Sequence, residues 1–135
     1  VPVRHCGWYP DRQIRLFDKR YANWNLRDVS ETVIFRDSVR PELLDGDILH
    51  HRCDSKEQYR RVATSHAAMK AKVLAARDGS IGLISPFIHG IKALWHNLVT
   101  EGGVFEGRVG REISFQAYRS ELLAYTTARR LKQKM

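Results

Sequence analysis

The sequence is short of cysteine and has no long apolar stretch. Cys6 and Cys53 are its two cysteines, too few for a disulfide framework, which favours a reducing compartment. A chain of 135 residues can bury roughly two-thirds of its unfolded surface, so it needs no metal or disulfide to fold. Its apolar stretches are interrupted well before the roughly 18 residues of a membrane span, and no secretory leader is recognisable. These absences predict a globular, cytoplasmic protein of about one domain.

Acidic residues are also scarce. Asp and Glu number 15 against 23 Lys and Arg, which gives a net charge of +8 and a pI near 9.9. A basic surface attracts nucleic acid, anionic lipid or a phosphorylated substrate, although it can also serve only solubility. No glycine-rich phosphate loop and no βαβ unit is present. The chain begins at Val1, so we expect a trimmed start or a piece of something longer.

The first part of the chain reads as short strands and loops. Strands are predicted at residues 13–17, 32–35 and 47–51, with a hairpin-type turn at Asp45-Gly46-Asp47. So few strands are marginal as an independent sheet, and they resemble the second half of a larger one.

From Ser55 the apolar period becomes helical. Ser55 to Gln58 matches a capping box, Gly79 predicts the end of this helix, and Pro86 predicts the first turn of a second that ends at Gly102. A third helix is predicted from Glu112 to Leu131. Each predicted helix has one apolar face, which indicates core or interface. The face of the first helix is Tyr59, Val62, His66, Met69 and Val73; that of the second is Phe87, Ile91, Leu94, Trp95 and Leu98; and that of the third is Phe115, Tyr118, Leu122 and Tyr125.

The second and third helices have basic flanks beside their apolar faces. This pattern predicts either that the helices pack on each other and on the sheet, or that they lie on an anionic membrane surface. The basic residues are Lys92, His96, Arg108, Arg111, Arg119, Arg129, Arg130, Lys132 and Lys134.

Two residue types could carry chemistry in the first part. Glu31 directly precedes a predicted strand, where a carboxylate could act as a general base, although an ordinary surface glutamate fits the same pattern. Of His50 and His51, strand alternation allows at most one to face a given site. Structural zinc is a weaker alternative, since Cys6 has no second cysteine at knuckle spacing; its candidate ligands are His5, Cys6, His50, His51 and Cys53. A cysteine nucleophile is weaker still, because no oriented base is identifiable.

A series of motifs resembles the second half of a family 2 glycosyltransferase, in the branch that builds the inner core of lipopolysaccharide or lipooligosaccharide. That branch tends to read tryptophan-tyrosine-proline, arginine-leucine-phenylalanine, valine-histidine-glutamate, glycine-aspartate-x-leucine-histidine and glycine-phenylalanine-leucine-aspartate-glycine. The segment Gly7 to Phe17 matches the first two of these motifs, and Trp24 follows it. The other three are matched, in order, by Val29 to Val33, Gly46 to His51 and Gly103 to Gly107.

The resemblance implies an α+β class: the C-terminal part of a GT-A α/β fold, with a few short strands, and then a tail of about three helices. Residues 1–53 would be the acceptor-side part of the catalytic domain, and residues 54–135 the helical tail. It further implies Glu31 as the acceptor-activating base, Trp8 and Arg15 on the acceptor side, and His50, rather than His51, toward the metal and the diphosphate.

The implied partners are a nucleotide-sugar donor and a lipid-linked glycan acceptor, with Mg²⁺ or Mn²⁺ as cofactor of the full-length enzyme. The nucleotide-binding half that carries the family's aspartate-x-aspartate metal motif is absent. We therefore expect a fragment or truncated product that transfers no sugar alone and binds no metal tightly, in the cytoplasm or on the inner membrane face. The alternative functions are a basic nucleic-acid-binding module, which the helical position of the aromatics disfavours, and a non-catalytic membrane-surface module.

Overall fold

The computed structural model describes residues 3–25, 31–36, 39–48, 50 and 53–134. Over these ranges the protein is α+β, with one two-stranded sheet and three α-helices. Its contacts divide it into two compact units: Arg12–Arg52, and a helical unit made of Val1–Asp11 with Cys53–Met135. In chain order the elements are β1 (Ala22–Trp24), β2 (Val33–Phe35), α1 (Lys56–Ala76), α2 (Ser85–Trp95) and α3 (Gly107–Lys134).

Residues 3–11 pack with the helices, although the sequence analysis assigns them to the same domain as the predicted strands. The assignment of 1–53 and 54–135 as functional domains stays a prediction.

The sheet is an antiparallel hairpin within unit 12–52. β2 confirms the predicted strand at 32–35 to within one residue. β1 was not predicted, because Ala-Asn-Trp has neither a β-branched residue nor an alternating pattern. The register pairs Ala22 with Phe35, Asn23 with Ile34, and Trp24 with Val33.

Two predicted strands are wrong in the residues that the structure describes. Residues 13–17 form no strand, and neither do Asp47, Ile48 and His50; Leu49 and His51 lie outside the described residues. An alternating pattern makes a strand only where a neighbour completes the hydrogen-bond ladder. Gly46 has a φ of +109°, a backbone conformation that favours glycine, and it lies in a bend. No hairpin forms around this bend in the described residues.

Helix α1 begins where the capping box predicts. The Ser55 hydroxyl accepts a hydrogen bond from the Gln58 amide at 3.1 Å, and the Gln58 side chain accepts one from the Asp54 amide at 2.9 Å. The helix ends at Ala76, three residues before the predicted glycine. Its predicted face is confirmed only at Tyr59 and Val73, which are half-buried, whereas Val62, His66 and Met69 are exposed. The buried residues of α1 are Ala67 and Ala71. Alanine lets α1 approach α3 closely, so the small side chains form the contact.

Helix α3 lies between the other two. Both α1 and α2 pack on it, and within the described ranges α1 and α2 do not contact each other. α1 runs parallel to α3, as the ion pair between Lys56 and Glu112 at 2.7 Å and the one between Lys70 and Glu121 indicate. The buried residues of α3 are Gly110, Ile113, Ser114, Ala124 and Ala128. Across the described residues, no helix combines the length and the apolar character that a bilayer crossing requires.

Helices α2 and α3 start near the predicted positions. α2 carries Pro86 in its first turn, as expected, and continues as a π-helical turn over His96–Thr100. Gly102 then takes the left-handed conformation, with a φ of +65°, and stops the helix. α3 begins five residues before the predicted Glu112, because a 3₁₀ turn at Gly103–Glu106 leads directly into it.

Glycine at two positions lets the turn pack against the start of α3. A Cβ at Gly103 would lie 2.7 Å from the Asn97 carbonyl oxygen and 2.9 Å from the Cys6 Sγ. A Cβ at Gly110 would overlap the Gly103 carbonyl. The Ser114 hydroxyl donates to the Gly110 carbonyl at 2.8 Å, and Cys6 is buried against the same carbonyl. Burial raises the pKa of the Cys6 thiol, which suits an inert packing role.

Candidate functional site

Glu31 lies at the loop end of the hairpin, two residues before β2, and its side chain is exposed. The neighbouring residue is held firmly across the hairpin. The side-chain nitrogen of Asn25, Nδ2, donates to the Thr32 hydroxyl at 2.6 Å, and the backbone N–H of Thr32 donates to the Asn25 side-chain oxygen at 3.2 Å. The Asn25 N–H also donates to the Thr32 carbonyl at 3.0 Å. These bonds place an accessible carboxylate beside a constrained backbone.

Arg15 is exposed in the irregular segment before β1. An aromatic pair lies in the same unit: the rings of Phe17 and Trp24 meet edge to face with centroids 5.8 Å apart. Asp18 and Arg20 form a bidentate ion pair nearby in sequence. Arg20 Nη2 donates to Asp18 Oδ2 at 2.6 Å and Nε to Oδ1 at 3.1 Å, and this guanidinium lowers the pKa of the Asp18 carboxyl. The sequence analysis did not select Phe17 and Trp24 as site candidates, although both residues lie in the segments that carry the resemblance.

Trp8 belongs to the other unit. The Trp8 ring meets Tyr59 of α1 edge to face, with centroids 5.9 Å apart. The backbone N–H of Trp8 donates to the His5 carbonyl at 3.3 Å. Trp8 is half-buried in this contact. Trp8 therefore packs the N-terminal segment against the start of α1.

His50 is exposed in irregular structure, and His51 lies outside the described residues. Since no strand forms at Asp47, Ile48 or His50, alternation no longer separates the two histidines. The choice of His50 now depends on the motif match alone.

Glu31, Arg15 and His50 share unit 12–52, whereas Trp8 lies in the helical unit. Among the described residues of unit 12–52, no hydrogen bond or ion pair joins any two of Glu31, Arg15 and His50. The described part of the chain also has no group of three His, Cys, Asp or Glu side chains able to hold a metal ion. His5 and Cys6, two members of the zinc alternative, are engaged with Glu106 and Gly110 respectively.

A second cluster surrounds Glu106, inside the segment that resembles the family's glycine-rich turn. One carboxylate oxygen accepts three hydrogen bonds: from the Arg4 N–H at 2.8 Å, the His5 N–H at 3.0 Å and the His5 Nδ1 at 2.7 Å. The His5 hydrogen bond is the main reason that the pKa of Glu106 is lowered. Glu106 therefore clamps the N-terminal segment onto the turn before α3.

We expect Glu106→Gln to lower the thermal unfolding midpoint at neutral pH by roughly 4–8 °C, because charge-assisted hydrogen bonds are replaced by weaker ones. The lowered pKa makes the clamp pH-dependent. Its stabilisation is present above the usual glutamate pKa of 4.5 and is lost as the pH falls through the lowered value. The difference between wild type and variant should therefore shrink in acid.

The measurement is circular-dichroism melting from about pH 7 to about pH 3. Glu42→Gln is the matched control, since Glu42 is exposed and makes no hydrogen bond or ion pair within the described residues. A deficit independent of pH, or one equal to that of Glu42→Gln, would contradict the clamp.

Comparison with known proteins adds no family to this picture: no protein-family model matches the chain, and no solved structure matches it.

Proposed function

We propose that this chain is the acceptor-side, C-terminal portion of a GT-A-type glycosyltransferase that moves a sugar from a nucleotide-sugar to a lipid-linked glycan of the lipopolysaccharide core type. The observation that carries the proposal is the order and spacing of the motifs from Gly7 to Gly107. A short hairpin followed by three helices is consistent with it.

The position of Glu31 suits the role of base. In an inverting transfer, a base takes the proton of the acceptor hydroxyl while that oxygen bonds to the anomeric carbon, and the nucleoside diphosphate leaves with the electrons of the broken bond. A base must be reachable by the acceptor, and Glu31 is exposed. The backbone of the next residue, Thr32, is held by its bonds to Asn25, which favours a defined position for Glu31 when the acceptor binds.

Arg15 is proposed to contact the acceptor through its guanidinium. An exposed guanidinium can pair with the phosphate or carboxylate groups of a core glycan through two parallel hydrogen bonds. Phe17 and Trp24 would add an aromatic surface in the same unit. The role of Trp8 at the acceptor stays a prediction from the motif.

The described residues do not fit a metal site by themselves, because they include no suitable cluster of ligands. No step is therefore assigned to a metal. His50 is proposed only as an exposed imidazole on the side of the donor's diphosphate.

We expect this chain alone to transfer no sugar and to bind nucleotide-sugars with Mn²⁺ no tighter than about 1 mM, a free energy of about 4 kcal/mol. The reason is that it has no phosphate-cradling loop and no donor-side carboxylate motif. The measurement is calorimetry with a panel of nucleotide-sugars, beside a transfer assay onto truncated lipid-linked core acceptors.

The matched comparison is the full reading frame, extended upstream of Val1. We expect that segment to encode strand–helix repeats with an aspartate-x-aspartate motif, and the extended protein to transfer sugar. Micromolar binding by the chain alone, or no transfer by the extended protein, would contradict the proposal. Salt-dependent oligonucleotide binding would favour the nucleic-acid alternative instead.

A further inference from the structure

Helix α2 is turned so that its large apolar side chains face outward. Its inward positions are small: Pro86 and Gly90 are buried against α3. The outward positions follow a helical spacing from the preceding loop to the end of the helix, and each is between 53% and 69% exposed. We call them the α2 outer face: Leu83, Ile84, Phe87, Ile88, Ile91 and Trp95.

The contacts with α3 hold this orientation. The His89 ring stacks on Tyr125 with centroids 4.0 Å apart and planes 9° apart. A Cβ at Gly90 would lie 2.9 Å from the Tyr118 ring, so α2 can approach α3 closely only through glycine there. A rotation that buried Ile88 or Ile91 would break both contacts. The outer face is therefore a fixed surface of the helical unit.

The segment that carries this face is basic, and carboxylates lie directly beyond its two ends, at Asp78 and Glu101. From Gly79 to Thr100 the chain has no Asp or Glu, and Lys92 is its single Lys or Arg. At the start of this segment lies an open cleft of about 680 Å³, lined by Arg77, Arg129 and Lys132 together with Asp78. Lys132 Nζ donates to the Gly79 carbonyl at 2.7 Å and also to the Arg77 carbonyl, which ties the loop before α2 to the end of α3.

We propose that the α2 outer face docks on an anionic lipid bilayer, with α2 lying flat in the headgroup region and the basic cleft at its N-terminal end meeting lipid phosphates. An apolar face with cations at its flank and no carboxylate within its own segment is the pattern of an interfacial helix. A second copy of this chain is disfavoured as the occupant, because each copy carries +8. The proposal is independent of the glycosyltransferase assignment, since it uses neither Glu31 nor Arg15.

The structure also changes the prediction made for α3. That helix was expected to present a similar face, but its Tyr118 and Tyr125 pack against α2. Docking is therefore assigned to α2, with α3 as its support.

The test is co-sedimentation of the full chain with vesicles of phosphatidylcholine alone or with about 30% phosphatidylglycerol, at low and high salt. We expect binding to the anionic vesicles only, weakened by salt. Ile91→Asp should reduce the partition constant by about tenfold or more, because it places a carboxylate at the centre of the face. Arg129→Glu should weaken binding at low salt and reduce the salt dependence.

Leu123→Asp is the matched control, because Leu123 is a partly exposed leucine on α3 outside the α2 outer face, and it should bind as wild type does. Circular dichroism confirms that each variant is folded, and Ile88→Ser gives a second, milder variant. Brominated lipids should quench part of the tryptophan fluorescence of wild type, and Trp95→Phe should abolish that quenching, which separates insertion of α2 from surface adsorption.

Three results would overturn the proposal. The first is no binding to anionic vesicles. The second is binding that Ile91→Asp leaves unchanged, which would indicate adsorption by charge alone. The third is concentration-dependent self-association, measured by sedimentation velocity and abolished by Ile91→Asp, which would make a second copy the occupant.

Discussion

Gly110→Ala is expected to destabilise the helical unit by about 3 kcal/mol or more. The added methyl would overlap the Gly103 carbonyl and lie 2.8 Å from the Glu106 Cβ. Neither neighbour can move cheaply, since one is backbone and the other belongs to the turn that clamps the N-terminal segment. Displacing the turn would also disturb the Gly110 carbonyl, which accepts from Ser114. The steric overlap must outweigh the higher helix propensity of alanine, which by itself would stabilise the helix by about 1 kcal/mol.

Gly82→Ala is the matched control. Nothing lies within 4 Å of the Cβ position at Gly82, and its φ is outside the left-handed range. We expect its effect to stay within about 0.5 kcal/mol, or to be slightly stabilising. Urea titrations followed by circular dichroism give both values. If Gly110→Ala unfolded at the same denaturant concentration as Gly82→Ala, the close packing of the turn on α3 would be wrong.

Glu31→Gln in the extended protein is expected to reduce sugar transfer by about 100-fold or more. Glutamine keeps the shape and the hydrogen bonding of the side chain but cannot take the acceptor proton. The Asn25–Thr32 bonds do not involve the Glu31 side chain, so the hairpin should keep its structure. The measurement is initial-rate kinetics with a saturating nucleotide-sugar, so that a change in kcat is separated from a change in donor binding.

Glu42→Gln serves again as the control, because it removes one exposed carboxylate from the same unit and should leave turnover near wild type. Turnover of Glu31→Gln within a few-fold of wild type would remove Glu31 from the role of base. Unchanged melting curves for both variants are required for either conclusion.

The candidate site could be predicted only in part. The motif order selected Glu31, Arg15, Trp8 and His50 by their place in the motifs alone. The structure adds that Glu31 is exposed beside constrained backbone and that Trp8 packs on Tyr59 in the other unit. The choice between His50 and His51 depended on a strand that does not form in the described residues, because it has no partner there.

The sequence alone determined the start of α1, the first turn of α2 and the stop at Gly102, but not the end of α1 or the start of α3. A hydroxyl at Ser55, a ring at Pro86 and a left-handed glycine at Gly102 act on their own backbone within one turn, so local chemistry is sufficient. The burial of each helix face was decided only by the tertiary structure. Ala67 and Gly90 lie in the contacts with α3, while Ile91 and Trp95 face outward. The reason is that close approach of helices favours small side chains at the contact, and which small residues meet depends on the partner helix, which periodicity along one segment does not contain.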